Sequence, residues 1–121
     1  STPIYERIKK LEQMGIIKKY VALLDADLLN QGLTVFLNIC IKEHQKEPRQ
    51  KFINKVKELE VISEFYHTSG TYDFLAKVRF GNVKEYRDFL VDDIASIENI
   101  GDIDSQIVLE EIKSSTKIKL R

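Results

Sequence analysis

Apolar and polar residues alternate along several segments of the chain, and this pattern predicts four strands. Between residues 33 and 41 every second position is apolar, as in a strand that buries one face. Segments 61–69, 72–80 and 103–112 are rich in apolar and β-branched residues and predict three further strands. Gly70 lies between the second and third strands and predicts a tight turn there.

Helical spacing of apolar residues predicts three helices. The first has Thr2 as its N-cap and Pro3 at its first position, and it ends at Gly15. Its apolar stripe consists of Ile4, Ile8, Leu11 and Met14. The second helix has the apolar positions Phe52, Ile53, Val56 and Leu59. The third follows the capping residue Asn82 and has the apolar positions Val83, Tyr86, Phe89, Leu90 and Ile94.

From residue 33 onward the order of elements is βαββαβ. Right-handed crossovers then give an α+β fold of the ferredoxin-like type, a four-stranded antiparallel sheet with both helices on one face. Before this unit, residues 16–26 are apolar and rich in β-formers and predict a strand, and 27–32 predict a short helical turn. The predicted organisation is therefore a helix at 1–15, a strand and linker at 16–32, a domain at 33–112 and a polar tail at 113–121.

The sheet face that points away from the helices is not uniformly polar. It should carry Phe36 and Cys40 from the first strand, Leu75 from the third, and Val108 and Ile112 from the last. A half-apolar face tends to be covered by another surface. A second copy of the same face would cover it and give a twofold homodimer. The alternative is that these are scattered exposed apolar side chains, which are common.

Composition and length predict one globular domain. The chain has 121 residues, of which 43% are hydrophobic and 31% charged. No apolar run reaches the length of a membrane span, and no secretion signal is visible. Cys40 is the single cysteine, which excludes an internal disulfide and fits a cytoplasmic protein. One cysteine and two histidines without ligand spacing predict no metal site, and no cofactor motif is present.

Charge is unevenly distributed although the net formal charge is zero. Residues 1–20 contain five basic residues and two acidic ones, so the N-terminal end is basic and the remainder acidic. This asymmetry indicates that any contact with a polyanion lies at the N-terminus. The alternative is an ordinary solvated helix face.

No catalytic constellation is present, and the chain is predicted not to be an enzyme. Nucleophile-elbow, paired-histidine and phosphate-loop motifs are all missing from the sequence. A small acyl phosphate hydrolase of the same fold would need a glycine-rich anion loop after the first strand, where "KEHQKEP" has no glycine. His44 and His67 are expected at the surface or rim, and Cys40 is expected to be a small buried hydrophobe.

The turn "TSGTYDF" is the best candidate for a small-molecule site. Gly70 permits a positive φ, and exposed backbone N–H groups at such a turn can hold a carboxylate. Tyr72 can form a wall of the pocket, and Asp73 can accept from an ammonium group. Ser105 and Gln106, in the polar segment before the last strand, are further hydrogen-bonding candidates. The alternative is a hairpin turn whose aspartate serves local hydrogen bonds.

The stretch "YERIKKLEQMGIIKKYVALLD" resembles the junction between the DNA-binding head and the effector domain in the leucine-responsive/asparagine regulator (Lrp/AsnC) family. That family has an R-I-x-x-L-E-x-x-G-I-I-x-x-Y run at this place. The matching residues are Arg7, Ile8, Leu11, Glu12, Gly15, Ile16, Ile17 and Tyr20. The resemblance continues through the "SGTYD" turn and the final "SQIVLEEIK" segment, so it covers essentially the whole chain.

By this resemblance the first helix is the recognition helix of a helix-turn-helix head whose earlier helices are absent from this sequence. The implied function is a transcriptional regulator that binds double-stranded DNA. Residues at the DNA would be Ser1, Thr2, Pro3, Tyr5, Arg7, Lys9 and Lys10. Residues 16–24 would be a hinge strand that pairs with its twofold mate.

The resemblance also implies an effector, an amino acid or related metabolite bound between subunits. The residues implied at that site are Gly70, Tyr72, Asp73, Ser105 and Gln106. The family forms homodimers that often assemble into octamers, and this chain is expected to do the same. The alternative function is a stand-alone module for small-molecule binding and assembly that does not bind DNA.

Overall fold

A computed structural model of the chain describes residues 2–118. Its elements are α1 (Thr2–Gln13), β1 (Leu33–Ile41), α2 (Lys46–Lys57), β2 (Ile62–His67), β3 (Phe74–Phe80), α3 (Val83–Asp88) and β4 (Ile100–Ile107). A π-helical turn, Phe89–Asp93, and a 3₁₀ turn, Ile94–Ser96, continue α3 towards β4. In sequence, the βαββαβ unit therefore begins with β1 and finishes with β4.

The four strands form one antiparallel sheet in the order β2-β3-β1-β4. The strands β1 and β3 lie at its centre, and each helical connection crosses over one strand. Val35 lies opposite Val78 of β3 on one side and opposite Ile107 of β4 on the other. The ferredoxin-like fold predicted from the sequence is confirmed.

The core lies between the sheet and its helices. The central strands alternate between fully buried and partly buried residues, because successive side chains of a strand point to opposite faces. The buried strand residues are Val35, Leu37, Ile39, Ile41, Phe74, Ala76, Val78 and Phe80. From the helical layer they meet Phe52, Val56, Phe89, Ile94 and Ile97. The core is therefore one-sided, and the other sheet face, here called the open face, receives no cover from residues 2–118.

The end of α1 is fixed by a glycine cap, as predicted. Gly15 has a φ of +76° and its N–H donates to the carbonyl oxygen of Glu12 at 3.0 Å. The Ile16 N–H donates to the carbonyl oxygen of Leu11 at 2.9 Å. These two bonds form a Schellman motif, which satisfies carbonyl groups that the helix end leaves unpaired. The start differs by one position, since Thr2 is already helical.

The apolar stripe of α1 has no packing partner among residues 2–118. No residue of the helix is buried. Ile4 is 60% exposed, Ile8 40% and Met14 62%, and only Leu11 is half-buried. An amphipathic helix of this kind normally buries its apolar stripe. The stripe of α1 is therefore a surface that another structural element can cover.

Two predicted strand segments are not formed. Residues 18–25 have no regular secondary structure, although 26–30 make the expected turn. The last strand ends at Ile107, five residues before the predicted end, and Leu109 and Ile112 are 97% and 88% exposed. A strand needs a hydrogen-bonded neighbour. Within residues 2–118, residues 18–25 have no such neighbour. In the last segment Val108 still donates to the Thr34 carbonyl oxygen, but β1 begins at Leu33 and offers residues 109–112 no further partner.

Candidate functional site

The connection between β2 and β3, residues 68–73, folds across the end of β1. The Thr68 N–H donates to the Asp73 carbonyl oxygen at 2.8 Å and closes the loop. Gly70 has a φ of +108°, a conformation that strains any residue with a Cβ. The backbone N–H groups of 69–72 donate to no acceptor within residues 2–118. They are therefore free to receive an anion such as a carboxylate.

Asp73 is fixed by β1 on one side and faces a histidine on the other. Its backbone N–H donates to the Ile39 carbonyl oxygen at 3.0 Å. Its Oδ2 accepts the Ile41 N–H at 2.9 Å. The other oxygen, Oδ1, lies 3.9 Å from Nδ1 of His44, whose side chain is 64% exposed. Oδ2 thus makes the local hydrogen bond that the sequence offered as the alternative role of Asp73. Oδ1 faces the exposed side chain of His44.

Tyr72 lies beside two carboxylates that sequence reasoning did not place at the site. The pKa of its phenol is raised, first by partial desolvation and then by the negative charge of Asp104, with smaller contributions from Cys40 and Asp102. The phenol is therefore protonated at neutral pH and available as a hydrogen-bond donor. Cys40 itself is half-buried rather than buried as predicted, and its Sγ donates to the Thr71 carbonyl oxygen at 3.4 Å.

The structure groups three of the five predicted effector residues, Gly70, Tyr72 and Asp73, in one turn. Ser105 and Gln106 lie elsewhere on β4, opposite Leu37 and Phe36 respectively. They are adjacent strand residues, so their side chains point to opposite faces of the sheet. Phe36 is four residues from Cys40, which corresponds to about 13 Å along a strand. Within one chain, Ser105 and Gln106 therefore do not join the turn.

The β4 residues near Tyr72 are instead Asp102 and Asp104. The sequence contains a pattern from which this pair could have been found. The run "DID" spaces two carboxylates by two residues, which puts both on one side of a strand. Only the pairing of β4 with β1, in which Asp104 lies opposite Asn38, shows that this side is the open face near Tyr72. The site that results is more acidic than the sequence alone indicated.

The predicted DNA-contacting residues lie on α1, except Ser1, which is outside the described residues. All six others are exposed. At 100° per residue, Thr2, Tyr5 and Lys9 share the face opposite the apolar stripe. The flank beside that stripe carries Pro3 and Lys10, whereas Arg7 lies within the arc of the stripe, between Met14 and Leu11. The helix thus presents two polar faces, each with at least one basic side chain.

Comparison with known proteins assigns the family. Residues 34–118 match the family described as the Lrp/AsnC ligand binding domain. The DNA-binding transcriptional activator DecR of Escherichia coli is 32% identical over 120 residues, which are 99% of this chain and 79% of DecR. The chain belongs to the Lrp/AsnC family. The leucine-responsive regulatory protein of E. coli is likewise 32% identical over 99% of this chain and 73% of its own length.

Solved Lrp/AsnC structures have the same fold. An AsnC family transcriptional regulator from Agrobacterium tumefaciens superposes with a TM-score of 0.88 at 37% identity, over 98% of this chain and 76% of its own. A transcriptional regulator of Neisseria meningitidis, solved as a complex with L-Met, gives a TM-score of 0.89 at 30% identity, over 97% and 75% of the two chains. The family is one of transcriptional regulators, and the resemblance inferred from the sequence is confirmed.

The open face of this Lrp/AsnC protein also carries a charged cluster. Lys77 Nζ lies 3.2 Å from Oε2 of Glu64, and the Tyr66 hydroxyl donates to Oε1 of the same carboxylate at 2.5 Å. The Nε of Arg79 is buried and has no acceptor within residues 2–118. Basic groups thus lie on β3, whereas Asp102 and Asp104 lie on β4 at the other side of the face.

Acid titration tests the Glu64 contacts. The hydrogen bond from Tyr66, followed by the contact with Lys77, lowers the Glu64 pKa from its ordinary value of 4.5. A lowered pKa stabilises the fold above the unfolded value, and this contribution is lost as pH falls through the folded value. Glu64→Gln should therefore destabilise at neutral pH, with an effect that shrinks below pH 4.5. Urea unfolding over a pH series measures this.

The matched control is Glu60→Gln, which removes an exposed glutamate in the loop before β2. Its effect on the free energy of unfolding should be small at every pH. An effect of Glu64→Gln that stays constant from neutral pH to well below pH 4.5 would show that the contacts do not depend on the charge of the carboxylate.

For residues 2–118, no helix is long and apolar enough to cross a membrane. No cluster of three or more His, Cys, Asp or Glu side chains in that part of the chain is arranged to hold a metal ion.

Proposed function

We propose that this Lrp/AsnC protein regulates transcription by binding double-stranded DNA through α1 and by binding an amino acid or related metabolite at the turn 68–73. The observation that carries the proposal is that backbone N–H groups without an acceptor within residues 2–118, at 69–72, and the carboxylate of Asp73 belong to the same turn. These two features complement the carboxylate and the ammonium group of a zwitterion. A relative at 30% identity was solved as a complex with L-Met, which supports this ligand class.

In this proposal each part of the ligand meets a defined group. The N–H groups of 69–72 bind its carboxylate, as anion-binding turns do. Oδ1 of Asp73 accepts from its ammonium group by displacing the exposed His44, with which it makes only a 3.9 Å contact. Tyr72 forms a wall and donates from its phenol. Ser105 and Gln106 would reach the same ligand from a neighbouring subunit, since they do not approach this turn in their own chain.

DNA binding is assigned to α1. Its apolar stripe would pack on other helices of a DNA-binding head, which leaves Thr2, Tyr5 and Lys9 on the face away from that contact. Lys10 on the flank and the long side chain of Arg7 would bind phosphates, a role that requires positive charge rather than exact geometry. Regulation by DNA binding places the protein in the cytoplasm with the genome, and the family match supports a regulatory rather than a catalytic role.

Dimerisation through the open face completes the proposal. The face carries half-buried Phe36 and Leu75 and the exposed ring of Tyr66, so its apolar content is suited to a second copy. The buried Nε of Arg79 has no acceptor among residues 2–118, and carboxylates from the acidic side of a partner's open face would supply one. Further assembly of dimers into an octamer would place Ser105 and Gln106 near a neighbouring turn.

A ligand screen with one isosteric variant tests the effector site. Among the common L-amino acids at least one should raise the melting temperature, since a ligand that binds only the folded state stabilises it. Asp73→Asn keeps an oxygen for the Ile41 N–H but removes the negative charge. Calorimetric titration of this variant should show at least about tenfold weaker binding, the loss expected for a charge-assisted hydrogen bond.

The matched control is Asp88→Asn, which neutralises an exposed aspartate at the end of α3. This variant should bind the ligand with unchanged affinity. If no amino acid shifts the melting temperature, or if Asp73→Asn binds as tightly as the unaltered chain, the effector part of the proposal is wrong.

A further inference from the structure

The helical layer of the βαββαβ unit is divided into a basic and an acidic part. In α2 five basic residues accompany a single acidic one, Glu47. The neighbouring helical segment, residues 83–98, has two basic residues and five acidic ones. The whole chain has a formal net charge of zero, so the net charge of +4 on α2 is a local feature and does not follow from a basic composition.

The basic charge of α2 is turned to the solvent and is mostly not neutralised by its own chain. Four of its five basic residues are exposed lysines: Lys46, Lys51, Lys55 and Lys57. The fifth, Arg49, is half-buried, and its Nη1 donates to the His44 carbonyl oxygen at 3.0 Å. Within residues 2–118 only Lys55 of the four lysines makes an ion pair, in which its Nζ lies 3.9 Å from Oε2 of Glu58.

The positions of these lysines are unfavourable for the helix itself. Lys46 is the first residue of α2, where the positive end of the helix dipole repels a cation. The N-cap residue Gln45 makes no side-chain hydrogen bond that would offset this repulsion. Lys51 and Lys55 are four residues apart, and like charges at this spacing destabilise a helix. A polyanion that neutralises the lysines would remove both penalties.

The lysines occupy both borders of the exposed half of α2. At about 100° per residue, Lys46 and Lys57 lie within about 20° of each other, whereas Lys51 and Lys55 lie about 150° away on the other border. Duplex DNA presents a row of phosphates on each side of a groove that is wide enough for a helix. Two basic borders match two rows of phosphates better than they match one acidic helix of a protein partner.

The last turn of α2 lies at the end of the sheet where the chain enters from α1. Ile62, the first residue of β2, pairs with Val78, and Val78 lies opposite Val35 near the start of β1. Only four residues separate the end of α2 from β2. The helix end that carries Lys57 is therefore at the same end of the unit as residues 14–32, which lead from α1.

We propose that α2 is a second DNA-contacting surface, which binds phosphates of the duplex in addition to the contacts made by α1. The inference rests on the DNA binding of the proposed function and extends it. Three basic and two acidic residues give α1 a net charge of only +1. Since phosphate contacts supply much of the affinity for DNA, α2 would contribute the larger share of an attraction that does not depend on base sequence.

The salt dependence of DNA binding tests the second surface. The chain is titrated onto a fluorescently labelled duplex of arbitrary sequence over a series of KCl concentrations. Each phosphate contact contributes about 0.9 to the slope of log K against log salt, so Lys51→Gln with Lys55→Gln should make the slope shallower by about 2 for each protomer on the duplex. Glutamine retains the helix propensity of lysine, and the circular dichroism spectrum should be unchanged.

The matched control is Lys84→Gln with Arg87→Gln, which removes two exposed charges from α3. This variant should retain the slope of the unaltered chain. A third variant, Arg7→Gln with Lys10→Gln, reports the contribution of α1 in the same measurement.

The outcomes separate this inference from the proposed function. A slope that changes with the α1 variant but not with the α2 variant overturns the second surface and leaves DNA binding by α1 intact. An effect of the α2 variant alone supports the second surface and overturns the assignment to α1. A chain that binds no duplex even at low salt overturns both. If the α2 variant changes the mass measured by light scattering and not the slope, α2 contacts the acidic helical segment of another copy, and the inference is wrong.

Discussion

Replacing Leu37 with alanine should lower the free energy of unfolding by about 2–5 kcal/mol. Leu37 lies in the central strand β1, is 0% exposed and faces the helical layer. Truncation removes its buried methyl groups and leaves a cavity that a close-packed core refills only in part. Urea unfolding at one protein concentration, followed by circular dichroism, measures the change.

Leu28→Ala is the matched control, because the same atoms are removed from a side chain that is 82% exposed. Its effect should stay within about 0.5 kcal/mol, as for other surface substitutions. If the two variants unfold at the same urea concentration, Leu37 does not line the core, and the assignment of the buried sheet face is wrong.

Replacing Leu75 with aspartate should raise the dimer dissociation constant by about 100-fold or more, since an unpaired carboxylate would be buried in both copies of the interface. Leu75 is half-buried on the open face, between Asn38 of β1 and Tyr66 of β2. Neither neighbour carries a positive charge that could pair with the new carboxylate. Light scattering or sedimentation over a dilution series measures the dissociation constant.

The control places the same substitution at Leu28, in the turn before β1, where a carboxylate remains in water. Leu28→Asp should dissociate at the same concentration as the unaltered chain. A Leu75→Asp variant that remains dimeric at high dilution, with a native circular dichroism spectrum, would exclude the open face as the dimer interface.

Strand periodicity predicted the elements that pair within the chain and failed for those that need another surface. In residues 33–41 apolar side chains recur at every second position because one face of the strand is buried, so this strand is visible in the sequence. Residues 16–26 and 108–112 have equally strong strand preferences, but propensity describes how well a segment suits a sheet and not whether a neighbour is present. Pairing partners are a property of the fold, so they could not be read from these segments alone.

The candidate site was predictable where it is local and unpredictable where it depends on register. Gly70, Tyr72 and Asp73 fall within four residues, so their proximity follows from the sequence. The position of Asp104 opposite Asn38 follows from the pairing of β4 with β1, in which the register shifts between Ile39 and Ile41. An irregularity of one residue moves the side chains that follow it to the opposite face of the strand. No local sequence motif predicts such an irregularity here.

The two oxygens of Asp73 differ in how accessible they are to a ligand, because Oδ2 accepts the Ile41 N–H and Oδ1 only faces His44. Approach to Oδ2 would have to compete with the Ile41 amide and would loosen the last residue of the central strand. Approach to Oδ1 costs only the displacement of a solvent-facing imidazole. In the proposed effector site, a ligand's ammonium group would therefore approach Oδ1 more easily than Oδ2, and the side chain that holds the end of β1 would also set the direction of that approach.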